Sequence, residues 1–294
     1  MYNATRNLSL LLILVQSFTG CTATTSPNEN EEEETLHSRI YKHTITQTDG
    51  QETVERHFTV QTPIEWDTAS PLPLLFAFHG GGGEGHFFVE DFDELMQTGR
   101  FIGVYPEGIE QSWNLGFEES TADDITFVLS ILETLEGTTG METRNPVAMG
   151  YSNGAGLVHR LAVETDRFVS IGAMASQLML DNQPQIGDAH VSVLQLHGTE
   201  DDVISYNGSV GEMEHQFLPA EESASVWAAH NGCRETASES SSGSYIRMEW
   251  AQCSTNTRVV HYRLNGIGHD MPWDVEGGTE MMIIDFLLST RPEL

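Results

Sequence analysis

Two stretches near the start of the chain alternate polar and apolar residues: Arg39–Thr48 and Gln51–Val60, joined by Asp49-Gly50. Period-two alternation around an Asp-Gly turn predicts an antiparallel β-hairpin. Further along, alternation gives way to unbroken apolar runs at Pro73–Phe78, Phe101–Tyr105, Pro146–Met149, Phe168–Met174 and Val191–Leu196. Such runs suit strands covered on both faces. Between them, apolar spacing predicts helices over His86–Gly99, Asp123–Glu136 and Gly154–Thr165. Later, Ala220–Asn231 predicts a helix stopped by Gly232, Arg258–Leu264 a strand and Glu276–Ser289 a closing helix. Strands alternating with helices predict an α/β domain: a mostly parallel sheet, helices on both faces and the hairpin at one edge. No internal repeat or large separate lid interrupts the pattern.

The N-terminal region reads differently. Arg6 precedes an apolar run, Leu8–Val15, that is too short to span a bilayer. Thr19 and Gly20 then lie directly before Cys21, the arrangement of a bacterial lipoprotein signal cleaved ahead of an acylated cysteine. An ordinary secretory signal with a chance cysteine is the other reading. Thr22–Thr35, "TATTSPNENEEEET", has too few apolar residues to bury a core and reads as a disordered acidic tether. The expected organisation is a signal over 1–20, a tether over 21–35 and a single domain over 36–294. The expected location is the bacterial envelope, through a lipid on Cys21, or the exterior. With Cys21 acylated, Cys233 and Cys253 remain as a pair in an oxidising compartment. A bridge there closes about 20 residues and contributes roughly 3 kcal/mol in the chain-entropy model.

Charge narrows the function classes. The 294 residues carry 44 acidic and 13 basic groups, a formal net charge of −31. No basic cluster exists to neutralise phosphates, so a nucleic-acid partner is excluded. Membrane contact is expected through the lipid anchor only. The histidines and cysteines show no metal-binding spacing, and no metal is expected.

The candidate chemistry begins at "LFAFHGGGGEG", Leu75–Gly85. Gly80, Gly82 and Gly85 satisfy GxGxxG after a strand, and Glu107 lies 22 residues beyond Gly85. That is the pattern of a dinucleotide-binding loop, and an NAD(P)-dependent oxidoreductase is one reading. The other needs a nucleophile, and "AMGYSNGAG" supplies Gly150-x-Ser152-x-Gly154 between a predicted strand and helix. This is the context of a nucleophile elbow. Asp201 follows the strand ending at Leu196, and His269 follows the strand ending at Leu264. The order Ser, Asp, His and the positions beyond carboxyl ends of strands fit a serine hydrolase. His269 is preferred over His261, inside a strand, and over His230, at a helix end; His79 and His197 read as structural histidines close to the site.

The chain resembles the secreted esterases of the polyhydroxybutyrate depolymerase and feruloyl esterase family. The likeness rests on "FHGGGG", "YPEG" followed by "WN", "GYSNG", "HGTED", "NGC" and "GIGHDMP", spread over Pro73 to about Trp273. It implies an α/β-hydrolase fold without a cofactor, and a serine esterase working through an acyl-enzyme on feruloyl, acetyl-sugar or hydroxyalkanoate-type esters. By the HGTxD pattern it places the acid at Asp201 rather than Glu200 or Asp202. It also implies a bridge at Cys233. The glycine run then becomes an oxyanion hole, with the N–H groups of Gly81 and Asn153 as donors. Trp113 and Trp273 are candidates to line the substrate pocket. A non-catalytic surface lipoprotein on a hydrolase scaffold is the remaining alternative.

Overall fold

The computed structural model describes residues 32–49, 52–118, 120–208, 215–270 and 274–292. Among these residues, eleven strands join in one sheet. They are β1 (Glu32–Glu34), β2 (Ser38–Asp49), β3 (Glu52–Pro63), β4 (Leu72–Phe78), β5 (Ile102–Pro106), β6 (Met141–Tyr151), β7 (Ser170–Met174), β8 (Ser192–Gly198), β9 (Ser238–Ser242), β10 (Tyr245–Trp250) and β11 (Val259–Leu264). The order across the sheet is β1-β2-β3-β5-β4-β6-β7-β8-β11-β10-β9. The six central strands, from β5 to β11, are parallel, and both margins are antiparallel. The predicted hairpin is the β2–β3 pair, in register from Ser38 opposite Pro63 to Asp49 opposite Glu52.

The helices are α1 (Phe87–Asp91), α2 (Asp93–Met96), α3 (Asp124–Leu135), α4 (Asn153–Glu164), α5 (Ala220–His230) and α6 (Thr279–Ser289). The unbroken apolar runs explain how they cover both faces. On β4, Leu74, Phe76 and Phe78 join one core with Phe127 of α3, Leu157 of α4 and Trp227 of α5. The intervening Leu75 and Ala77 join a second core with Phe92, Met96 and Ile283 of α6. Successive side chains on a strand point to opposite faces, so a central strand needs apolar residues at every position.

Several boundaries differ from expectation. β1, Glu32–Glu34, pairs with Tyr41–Arg39 of β2 inside the segment read as a tether. Its backbone pairs with a strand edge, which composition alone does not reveal. The helix expected over His86–Gly99 is two short helices meeting at Phe92, whose buried ring packs against Phe101 and Tyr105. The closing helix starts at Thr279 because Gly277 and Gly278 hold φ of 86° and 156°, outside helical space. The serine-rich β9 and its partner β10 were not anticipated. Cys233 and Cys253 are bridged, tying the turn after α5 to the loop after β10. The signal segment, Cys21 and Trp273 lie outside the described residues.

Topology decides where a site can form. From β4 the chain crosses to its neighbour β5, then returns over β4 to β6 on the other side. The order therefore reverses between β4 and β6, and a crevice opens beyond their carboxyl ends. Phe78 pairs with Gly150 in register, so the loop after β4 and the turn after β6 leave the sheet side by side.

Candidate active site

The turn after β6 carries Ser152 at φ 53°, ψ −119°, a conformation that non-glycine residues rarely adopt. Its N–H donates to the Met174 carbonyl at 2.8 Å, and α4 begins immediately after it. The flanking glycines are sterically required. A Cβ on Gly150 would lie 2.3 Å from the Gly154 carbonyl oxygen. A Cβ on Gly154 would lie 2.4 Å from the carbonyl oxygens of both Phe78 and His79. The sharp turn and the end of β4 are thus packed backbone against backbone.

Two further loops converge on Ser152. The loop after β8 runs beside the loop after β11: Thr199 N–H donates to the Leu264 carbonyl and Glu200 N–H to that of Ile267, both at 2.9 Å. Gly198 permits this approach, since a Cβ there would meet the Ile267 oxygen at 2.3 Å. His269 consequently sits between the other two residues. Its Nε2 is 2.8 Å from Ser152 Oγ, and its Nδ1 is 2.8 Å from Asp201 Oδ2. Asp201 Oδ1 accepts the N–H groups of Val203 and Ile204 at 3.0 and 2.8 Å. His197 Nε2 approaches Oδ2 at 3.2 Å while donating to the Ile204 carbonyl at 2.8 Å. Burial alone would raise the Asp201 carboxyl. The hydrogen bonds from His197, His269 and Ile204 outweigh it and hold the group well below the usual carboxylate range. Asp201 therefore stays ionised and fixes the proton of His269 on Nδ1, leaving Nε2 free to accept one from Ser152.

The glycine loop faces the same serine. A Cβ built on Gly81 would sit 3.9 Å from Asn153 Cβ. Among the described residues, neither the Gly81 nor the Asn153 N–H donates to a protein acceptor; that of Gly82 is engaged by the Gln111 carbonyl at 2.8 Å. His79 supports the loop from beneath. Gly108 N–H donates to its Nε2 at 3.0 Å, so its ring proton lies on Nδ1 and is given to the Gly80 carbonyl at 2.8 Å. Burial pushes its pKa down, as expected of a structural histidine. Glu107, the acidic residue of the dinucleotide pattern, accepts N–H groups of the loop itself, Gly85 at 2.7 Å and His86 at 3.1 Å.

Trp113 does not line a pocket. It is fully buried, its ring is edge-on to Phe78, and its Nε1 donates to the His79 carbonyl at 2.8 Å. The indole is core packing that also anchors the glycine loop. Tyr151 escaped the sequence reading although it belongs to "GYSNG": its hydroxyl donates to the His269 carbonyl and holds that loop against the elbow. Among the described residues, no group of three or more His, Cys, Asp or Glu is placed to hold a metal ion.

No family model matches the chain. It is 26% identical over 230 residues to a probable feruloyl esterase C of Aspergillus niger, covering 73% of this chain and 76% of that one. It is 24% identical over 242 residues to feruloyl esterase B of Piromyces equi, covering 74% of this chain and 44% of that one. The fold matches an acetyl xylan esterase from Aspergillus awamori with TM-score 0.60 and 14% identity, over 83% of this chain and 99% of the other. The chain is a feruloyl esterase-like α/β-hydrolase. It belongs to the enzymes that hydrolyse carboxylic esters.

Beside the elbow of this esterase lies a cavity of about 510 Å³. Its floor is apolar, with Met149, Met174, Phe88 and Ile283, and carboxylates of Asp91 and Glu280 stand on its wall. Burial raises the pKa of both carboxyls. Gly80 and Tyr151 also line the cavity, so it opens beside the residue that precedes Ser152.

Proposed function

We propose that this esterase cleaves its substrate by nucleophilic catalysis, with Ser152 as nucleophile, His269 as general base and acid, and Asp201 as the orienting carboxylate. The observation that carries the reading is the unbroken relay from Ser152 Oγ through His269 to Asp201, with 2.8 Å at each link. Nε2 takes the Ser152 proton as Oγ attacks the ester carbonyl carbon. The carbonyl oxygen becomes an oxyanion and accepts the N–H groups of Gly81 and Asn153. As the C–O bond to the alcohol breaks, Nε2 returns the proton to the leaving oxygen. Water then attacks the acyl-serine by the same relay and releases the acid.

Feruloyl, acetyl-sugar and hydroxyalkanoate esters are the substrate classes proposed. The apolar cavity beside the elbow, at Tyr151, suits an apolar or aromatic group of the ester. We further propose export, supported by the Cys233–Cys253 bridge, and anchoring to the envelope through Cys21.

An ester panel tests the reading: short-chain nitrophenyl esters, methyl ferulate, acetylated xylan and hydroxybutyrate oligomers. Turnover of at least one class, abolished by Ser152→Ala, is expected. Purified protein inert on all four overturns it. Intact mass of envelope-extracted protein tests the anchor, which a mature chain starting anywhere but Cys21 would rule out.

A further inference from the structure

Asn153 has a side chain as well as a backbone N–H, and the side chain is directed away from the nucleophile. Its Oδ1 accepts the Trp113 N–H at 2.7 Å, and its Nδ2 donates to the Trp113 carbonyl at 2.9 Å. The two bonds clamp the amide onto one residue's backbone. Nδ2 also reaches Glu118 Oε1 at 3.3 Å. That oxygen accepts a second donor, His215 Nε2, at 2.8 Å. The other oxygen, Oε2, accepts the N–H groups of Leu115 at 2.6 Å and Phe117 at 3.2 Å. The Glu118 and His215 side chains are only 5% and 6% exposed. A buried carboxylate with four donors is a costly group to place in a fold, and the proposed mechanism uses neither it nor the histidine.

We propose that Glu118 and His215 are positioning residues for the oxyanion hole, acting through the Asn153 amide. This rests on the reading of Asn153 N–H as an oxyanion donor. The physical argument concerns rotation. Asn153 is the first residue of α4, where a helix has no internal acceptor to fix the orientation of its leading N–H groups. The side-chain clamp to Trp113, with a longer hydrogen bond from Ser112 Oγ to Asn153 Oδ1 at 3.4 Å, restrains this residue laterally, and Glu118 holds that clamp from the far side. The same Trp113 anchors the His79 carbonyl, so both proposed donors, Asn153 and Gly81, hang from one support. Loosening it misaims donors whose effect depends on a fixed position relative to the developing charge. His215 contributes through Glu118: it shares Oε1 with Asn153 and keeps that oxygen turned inward.

The test compares Glu118→Leu, Glu118→Gln and His215→Leu with wild type on a nitrophenyl ester and on its thionoester, where sulfur replaces the carbonyl oxygen. Sulfur accepts hydrogen bonds weakly, so the ratio of ester to thionoester turnover reports the oxyanion donors specifically. Losing such a donor outright lowers turnover about 10²–10³-fold, and misaiming it lowers it less. For Glu118→Leu we expect kcat to fall about 30-fold, KM to stay within about twofold, and the ester-to-thionoester ratio to fall about fivefold or more. Glu118→Gln keeps half of the acceptor pattern and lies between Glu118→Leu and wild type. His215→Leu removes one donor, leaves Glu118 in place and gives the smallest fall in the same ratio. Should Glu118→Leu fail to fold, Glu118→Gln and His215→Leu carry the same readout. A ratio equal to wild type in the variants that fold overturns the proposal, whether or not turnover falls along with Tm. Retained activity in Ser152→Ala would instead overturn the underlying triad, and it leaves the ratio as a separate result.

Discussion

Two of the buried carboxylates in this molecule, Asp124 and Asp201, have different surroundings. Asp124 opens α3 and meets Arg56 of β3 at 2.6 Å, the two side chains 0% and 1% exposed. The guanidinium also lies 3.9 Å over the Phe127 ring and donates to Gln47 at 2.9 Å. This region staples the N-terminal hairpin onto a helix. Asp201 instead faces two histidines and two backbone N–H groups, and one of those histidines is partly open to solvent. Burial raises the Asp124 carboxyl even though Arg56 pulls it the other way. Asp201 is depressed because its hydrogen-bond donors outweigh burial. One buried charge is closed off by a permanent cation. The other is held ready beside a ring that gains and loses a proton. The contrast separates a structural ion pair from a site better than burial alone does.

The sharpest way to break the comparison is to remove the reacting groups. Ser152→Ala and Asp201→Asn should each lower ester turnover about 10⁴-fold or more, the serine variant with Tm near wild type. Asp202→Asn should change it by less than about threefold, because that side chain is exposed and outside the relay. Steady-state kinetics on purified protein check all three, and a reversal between Asp201 and Asp202 would shift the acid by one residue.

The staple should respond in the opposite sense. Arg56→Met leaves an uncompensated buried carboxylate and should destabilise by about 3–5 kcal/mol, while kcat of the folded fraction stays near wild type. Arg56→Met with Asp124→Leu should recover much of that loss, since no charge is then buried. Urea unfolding measures both. Double-variant stability no better than the single would show that the pair contributes more than its desolvation.

Opening the Cys233–Cys253 bridge should lower stability by roughly 3 kcal/mol with little effect on turnover, read as a fall in urea midpoint under reductant. The smallest effect distinguishes the two carboxylates by pH. A depressed carboxyl stabilises the fold above its unfolded pKa, near about 4, and that contribution is lost as pH falls below it. The stability gap between wild type and Asp201→Asn should therefore close as pH drops below about 4. A raised carboxyl has the opposite sign, since the native state binds the proton more readily than the unfolded chain. Asp124 should accordingly give a contribution that does not decline over that range.

Strand and helix identity, the hairpin and the positions of Ser152, Asp201 and His269 beyond strand ends were legible in the sequence. They rest on local patterns: period-two alternation, unbroken apolar runs and glycines where a backbone must turn or approach another. β9 was not legible, since "SESSS" carries no strand signal and becomes a strand by pairing with β10. Nor was the break at Phe92, where burial of one ring against Phe101 and Tyr105 overrides continuous helical spacing.

The sequence by itself determined most of the elements, their chain order and the residue types able to perform acyl transfer, because each of these is set by neighbours a few positions away. Tertiary structure alone decided which groups meet. It drew Trp113 out of the candidate pocket and under the glycine loop, because a large apolar ring gains more from burial than from the rim of a crevice. It turned Glu107 onto the loop's own N–H groups, and it set Glu118 and His215 behind Asn153. Spacing along the chain encodes none of these contacts. Each follows from where the crossover between β4 and β6 opens a crevice, and from which polar groups then find partners there once water is excluded.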